Sequence, residues 1–261
     1  MKSPTPSELV HAGLGCEPEQ IRPDVILTPH WKIDIFNPHV PGVTEIVPHK
    51  VYELELRRHS ITFVRAGIGA PQTGDTVLAL GATPCQRIVF IGSAGALQPH
   101  LNIGDLLIPS QSLSGDGFSR YLQPGLPPAD TFLRPALPDE FLSATLSGYA
   151  NTAAPAAGAS VHRGTVFSTD SIAAQFPLLE GLSRDYDCCA IEMETAAVFA
   201  AARSVDIQAS ALLAISDSPI QGKSLFAGRT PQDLDHYHRI KEDILPVIVL
   251  NTLAGPRFCE G

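Results

Sequence analysis

The sequence predicts an α/β protein, a single domain with a central mixed, twisted sheet flanked by helices on both faces. Three observations carry this. Short apolar runs of four to six residues alternate with helical segments along most of the 261 residues. Runs such as IVFIG and ALLAIS are apolar on both faces, as in strands that helices cover from both sides. A chain of this length buries about three quarters of its unfolded surface, enough for one core without disulfides or a metal.

Taken in order, strands are expected over 24–27, 61–66, 87–91, 105–109, 164–168, 188–192 and 211–216, most of them ending at Gly, Pro or Ser. Residues 51–56 alternate and pair with 61–66 as a hairpin across 57–60. Helices are expected over 72–80, 139–149, 172–182, 195–204 and 231–253. The last has Thr230 as N-cap candidate and Pro231 at its first position. Its apolar residues Leu234, Tyr237, Ile240, Ile244, Leu245 and Ile248 step by three and four, so one face packs on the body. Residues 123–138 carry five prolines and read as a surface loop, and 150–160 as a small-residue connector. Neither splits the domain, which spans 1–261.

Composition narrows the function. With 18 Lys+Arg against 27 Asp+Glu and a net charge of −9, the chain lacks the basic surface that displaces counterions from nucleic acid. Its densest basic run is Arg57-Arg58. Apolar stretches such as 247–250 fall far short of the ~20 residues that span a bilayer. The start, MKSPTPSELVHAG, has no apolar core and does not read as an export signal. Five cysteines (Cys16, Cys85, Cys188, Cys189, Cys259), without CxxC or zinc spacing, read as buried apolar residues in a reducing cytoplasm. No metal or organic cofactor is implied. The scattered histidines His30, His100 and His162 read as surface or loop residues.

Four segments can carry chemistry. GIGAPQTG (67–74) follows a strand and precedes a helix, so its backbone N–H groups can meet an anion or simply make a tight turn. IGSAGAL (91–97) opens the backbone at Ser93, but Ile at 91 excludes a nucleophile elbow. AIEMETAA (190–197) sets Glu192 and Glu194 on one side of a strand that runs into an Ala-rich helix. A carboxylate at a helix head can equally be a cap. AISDSP (214–219) places Asp217 past the carboxyl end of an apolar strand, where α/β sheets form ligand crevices and where Asp also makes turns.

The order and spacing of GIGAP, GSAGAL, IGDLLIPSQSLSGDGFSRYL, FSTDS, EMETAAVF and AISDSP resemble the nucleoside phosphorylase family. That family includes purine nucleoside phosphorylase, uridine phosphorylase and the methylthioadenosine/adenosylhomocysteine nucleosidases. The resemblance covers about 45–253 and leaves 1–44 as a divergent N-terminal part. It implies cleavage of a nucleoside N-glycosidic bond. Glu194 then holds the ribose hydroxyls, Met193 packs on the sugar, and Glu192 stands behind or touches it. Asp217 protonates or hydrogen-bonds the leaving base. Ser93, Ala94 and Gly95 line the junction of base, sugar and nucleophile, and Phe167 and Ile172 belong to the wall against the base. Phosphate, the co-substrate of a phosphorylase, falls to Gly69, Ser93, Lys50 and Arg65. Relatives are homo-oligomers with shared sites, and Lys50 sits where some lend an arginine to a neighbour.

The chain departs from the phosphorylase pattern in two places. Only GLGCEPEQIRP stands where phosphorylases carry Gly-Asp-Pro-x-Arg, and Phe90 stands where they carry an arginine. Three readings follow. Phosphorolysis is preferred, hydrolysis by an activated water is the alternative, and a non-catalytic nucleoside-binding protein is the third.

Overall fold

The computed structural model describes residues 4–57 and 59–255. The first three residues of the N-terminal segment, Arg58 of the basic pair and Cys259 lie outside the described residues. Ten strands form one mixed sheet. They are β1 (Asp24–Thr28), β2 (Gly42–Val47), β3 (Val51–Leu56), β4 (His59–Arg65), β5 (Arg87–Ala96), β6 (Leu106–Gly115), β7 (Pro135–Ala136), β8 (Val161–Thr169), β9 (Cys188–Glu192) and β10 (Gln208–Asp217). The α-helices are α1 (Pro6–Leu14), α2 (Ala70–Leu80), α3 (Glu140–Ala153), α4 (Leu179–Asp185), α5 (Thr195–Ser204), α6 (Pro231–Arg239) and α7 (Leu245–Ala254).

Strand β5 organises the site. Its first residues pair in parallel with β1 on one side and β10 on the other. Beyond the end of β1, Gly95 and Ala96 pair antiparallel with β9 instead. Since β10 pairs β6, β6 pairs β8 and β8 pairs β9, these five strands close on themselves. The arm β1–β4–β3–β2 extends from the ring as an open sheet. Closure brings the carboxyl ends of β9 and β10 to the two flanks of Ser93–Gly95.

Both faces of the sheet are covered, as the apolar runs require. Along β5, Ile88 and Phe90 join the core beneath α2 and α5, while Val89 and Ile91 join the core beneath α3 and α7. The alternation repeats in β1, with Val25 and Leu27 on one face and Ile26 on the other. Helix α5 is buried over nearly its whole length, which is why it is built from alanines with one Val and one Phe. Small side chains let it lie close against the sheet and α2.

Three expected elements differ. β6 runs on past Pro109, where the expected strand ended, because a register shift between Pro109 and Gln111 accommodates the missing N–H. The expected helix 172–182 is a bend, a 3-10 turn at Phe176–Leu178 and then the short α4. Pro177 disfavours helical geometry before it, and the Ala174 N–H is taken by Ser171 Oγ at 3.1 Å. The C-terminal helix starts as expected, with a Thr230–Asp233 capping box and Pro231 in its first turn. It then relaxes into a π-turn at Ile240–Ile244 before α7. Pro246 cannot donate to the Glu242 carbonyl one turn back. That carbonyl is instead within 3.0 Å of His39 Nε2. Among the described residues, no helix is long and apolar enough to cross a membrane.

Candidate active site

A cavity of about 360 Å³ opens at the carboxyl ends of β5, β9 and β10. Ser93, Ala94 and Gly95 form its floor, with Glu192, Met193 and Glu194 on one side and Asp217 on the other. The backbone register accounts for the placing. Asp217 is the partner of Gly95 across β5–β10, and a side chain at 95 would meet the Asp217 carboxylate at 3.3 Å. Glycine there lets the acid lean over the floor.

The two glutamates, two residues apart, have different surroundings. Glu192 accepts the backbone N–H groups of Glu194 and Thr195, both at 2.8 Å, and the Thr195 hydroxyl at 2.7 Å. The Ser168 hydroxyl donates to it as well. Its oxygens are thus engaged at the head of α5. Glu194 accepts the Gly69 N–H at 2.7 Å. Burial and the negative charge of Glu192 raise the Glu194 pKa well above the usual carboxylate range. Glu192 is also pushed upward by burial, against the pull of its donors. Glu192, with four donors, is the better satisfied carboxylate of the pair.

Asp217 is buried and accepts the Ser216 hydroxyl at 2.8 Å. Burial raises its pKa, and the Ser216 bond and the nearby Arg229 guanidinium only partly offset this. Arg229 lines the cavity twelve residues after Asp217, with its guanidinium on the Ser216 carbonyl at 3.3 Å. An acid whose pKa is raised, beside an arginine, is suited to deliver a proton to a group that gains negative charge.

The sequence expectations divide here. Ser93, Ala94, Gly95, Ile172, Glu192, Met193, Glu194 and Asp217 meet around one cavity. Four others do not line it. Phe167 is buried in a separate apolar cluster with Leu97 and Leu113, edge-on to Phe132. Its neighbour but one, Thr169, reaches the cavity instead. Gly69 spends its N–H on Glu194. Lys50 donates its ammonium to the Gly13 carbonyl at 2.7 Å, within GLGCEPEQIRP. Arg65 stands behind the rim, close enough to bias His30. Phe90 is fully buried in the core.

Sequence reading missed His30, Gln175, Arg229 and Tyr237, all of which line the cavity. His30 read as a surface or loop residue, and it is an exposed loop residue that also lines the rim just after β1. Tyr237 read as core by its helical spacing, and it is buried, but its hydroxyl reaches Ser93 Oγ at 2.7 Å. The signal available for His30 was its place directly after a strand aligned with β5; Arg229 had none beyond its distance from Asp217.

Comparison with known proteins agrees with this arrangement. The sequence profile of the phosphorylase superfamily matches residues 30–235. Uridine phosphorylase of Salmonella typhimurium (strain LT2) is 31% identical over 120 residues, which are 46% of this chain and 43% of that protein. The chain therefore spans less than half the length of that relative. The DeoD-type purine nucleoside phosphorylase of Mycoplasma genitalium is 26% identical over 196 residues, 75% of this chain and 79% of that one. In three dimensions, purine nucleoside phosphorylase from Toxoplasma gondii, solved with immucillin-H, superposes with a TM-score of 0.74. That alignment covers 98% of both chains at 19% identity, so the fold is shared where the sequence has drifted.

Proposed function

The chain belongs to the phosphorylase superfamily, and we propose that it is a pentosyltransferase that cleaves the N-glycosidic bond of a purine or pyrimidine nucleoside by phosphorolysis. One observation carries this reading. Glu194, just past the end of β9, and Asp217, at the end of β10, open on one cavity to either side of Ser93–Gly95.

In the reaction, the bond from the anomeric carbon to the base nitrogen breaks and its electron pair goes to the base. A phosphate oxygen bonds the same carbon, giving sugar 1-phosphate. Positive charge develops on the sugar and negative charge on the base. Glu194 accepts the sugar hydroxyls and holds them over Met193, with its charge near the cationic sugar. Asp217 donates to the base and Arg229 restores its charge balance afterwards. A positioned acid of this kind contributes about 10²–10⁴-fold. Ile172, Gln175 and Leu225 face the base. Phosphate enters as co-substrate, and no organic cofactor takes part.

A homo-oligomer with shared sites completes the proposal. Ile68, Leu225 and Phe226 are exposed at or beside the cavity mouth, which favours cover by a second copy. We place the reaction in the cytoplasm, where the unpaired Cys16, Cys85, Cys188 and Cys189 stay reduced.

Hydrolysis is the second reading, favoured by one observation. Arg229 is the only described arginine that lines the cavity, and Phe90 fills with hydrocarbon a position where phosphorylases carry another. Incubation with inosine, adenosine, uridine and methylthioadenosine, with and without phosphate, decides between them. Base release that requires phosphate supports phosphorolysis; release at the same rate without it supports hydrolysis. Binding with no release from any of the four leaves a nucleoside-binding protein.

A further inference from the structure

Glu192 is held by hydroxyls that the reaction as described does not use. Ser112 comes from β6, Ser168 from β8 and Thr195 from the start of α5, and all three residues are fully buried. The ladders bring them together: β6 pairs β8, and Ser168 is the partner of Glu192 across β8–β9. The Ser168 hydroxyl donates to Glu192 Oε1 and accepts the Ala196 N–H at 2.9 Å. The Thr195 hydroxyl lies 2.7 Å from the same Oε1 and 2.9 Å from Ser112 Oγ. Ser112 Oγ in turn lies 3.1 Å from Ser168 Oγ. The four groups form a closed circuit. A carboxylate oxygen accepts, so Ser168 and Thr195 each give their one hydrogen to Glu192, and Ser112 donates to one of them.

Ser112 shows what the circuit adds. Ser168 serves the head of α5 through the Ala196 N–H. The Ser112 hydroxyl bonds no backbone group among the described residues; its partners are the two hydroxyls on Glu192. Alanine at 112 would strand neither of them, since both still reach Oε1, and it would spare the cost of burying a hydroxyl. What the serine supplies is constraint. It ties the two donors of Oε1 to each other, so the carboxylate cannot turn. With Oε1 fixed, Oε2 stays on the Glu194 N–H at 2.8 Å. Glu194 sits where β9 gives way to α5, with φ −136° and ψ −33°, outside regular strand or helix geometry. Its side chain can only be aimed as well as that backbone is held.

We propose that Ser112, Ser168 and Thr195 are positioning residues for nucleoside cleavage: their hydroxyl circuit braces Glu192, and Glu192 in turn fixes the backbone from which Glu194 reaches the sugar hydroxyls. None of the three touches substrate. The inference rests on the reading of Glu194 as the sugar-holding carboxylate, and it holds for phosphorolysis and hydrolysis alike, since both need the sugar in place.

The test compares kcat/KM for uridine and inosine with that for their 2′-deoxy counterparts, in the full-length protein and in Ser112→Ala, Thr195→Val and Thr195→Ser. Glu194→Gln is the reference. The deoxy sugar lacks a hydroxyl for Glu194 to hold, so a badly aimed Glu194 costs the ribonucleoside more. The proposal expects Ser112→Ala and Thr195→Val each to lower kcat/KM for the ribonucleoside and to lower its ratio to the deoxynucleoside by about threefold or more. Thr195→Ser, which keeps the hydroxyl, should return that ratio to within about twofold of the unaltered protein. Equal losses on both sugars in the folded variants mark a merely structural role and overturn the proposal, as do unchanged rates; cleavage by the unaltered protein then leaves the proposed function standing. A ratio that Glu194→Gln leaves unchanged, or an unaltered protein that cleaves neither sugar, overturns the reading of Glu194 and this inference together. Circular dichroism melts confirm that each variant folds.

Discussion

The two walls of the cavity were made by different means. The acidic wall is built at strand ends, where β9 and β10 are fixed by their ladders to β5, and Glu192 pins the head of α5 with several hydrogen bonds. The opposite wall is built from residues after β1 and from α6, whose helix gives way to a π-turn three residues after Tyr237. The first wall is over-determined by backbone pairing. The second depends on a few side-chain contacts, among them Tyr237 to Ser93. Chemistry that needs fixed geometry is expected on the first wall, and ligand exchange on the second.

Four outcomes sharpen or break this contrast. The largest belongs to the acidic wall. Asp217→Asn should lower kcat by about 10²–10⁴-fold with base-dependent severity, and Glu194→Gln by at least about tenfold, in steady-state assays of base release. Full activity in either variant removes it from the catalytic set.

Next comes the difference between the neighbouring glutamates. Glu192→Ala strands two backbone N–H groups and two hydroxyls and should cost about 2–4 kcal/mol of stability by denaturant melts. Glu194→Gln removes one acceptor and should not destabilise at neutral pH. If both variants destabilise equally, the division into a structural and a functional carboxylate fails.

A pH effect follows from the same wall. Burial raises the pKa of Glu194 and of Asp217. The folded state then binds more protons than the unfolded state between the ordinary carboxylate range, near 4, and the raised values. Stability of the ligand-free protein should therefore fall as pH rises through that window, by about 1 kcal/mol or more. Glu194→Gln should flatten the slope in thermal melts taken from pH 5 to pH 8. A slope that is unchanged in Glu194→Gln contradicts the upward shift at Glu194.

The smallest effect tests the second wall. His39→Ala removes the partner of the Glu242 carbonyl at the π-turn and should cost about 0.5–1.5 kcal/mol. It should loosen α6 more than the acidic wall, as read by amide hydrogen exchange around Tyr237 against that around Thr195. Equal exchange changes at both places would erase the contrast.

The same division governs how far the sequence could be read. The sheet and most helices followed from apolar runs and caps, since β9 and α5 match their expected bounds and Thr230–Pro231 opens α6. The acidic wall followed from motifs that sit directly on those strands. The ring closure did not, because nothing local in β5 says that Gly95 leaves β1 for β9. Phe167 was misplaced because it sits two residues short of the end of β8, packed with Leu97 and Leu113, while Thr169 at the strand end reaches the cavity. His30 and Tyr237 escaped because a single His after a strand and a Tyr on an apolar helical stripe look like ordinary loop and core residues. The meeting of Tyr237 with Ser93 joins residues 144 positions apart.

The central claim is that Glu194 and Asp217 act on one sugar–base linkage within one cavity. A crystal structure of the protein with bound inosine or uridine tests it most directly. The account predicts sugar hydroxyls within about 3 Å of the Glu194 carboxyl oxygens and the base edge within the same reach of Asp217. A nucleoside seated in another cavity, or one that contacts only one of the two acids, would contradict it.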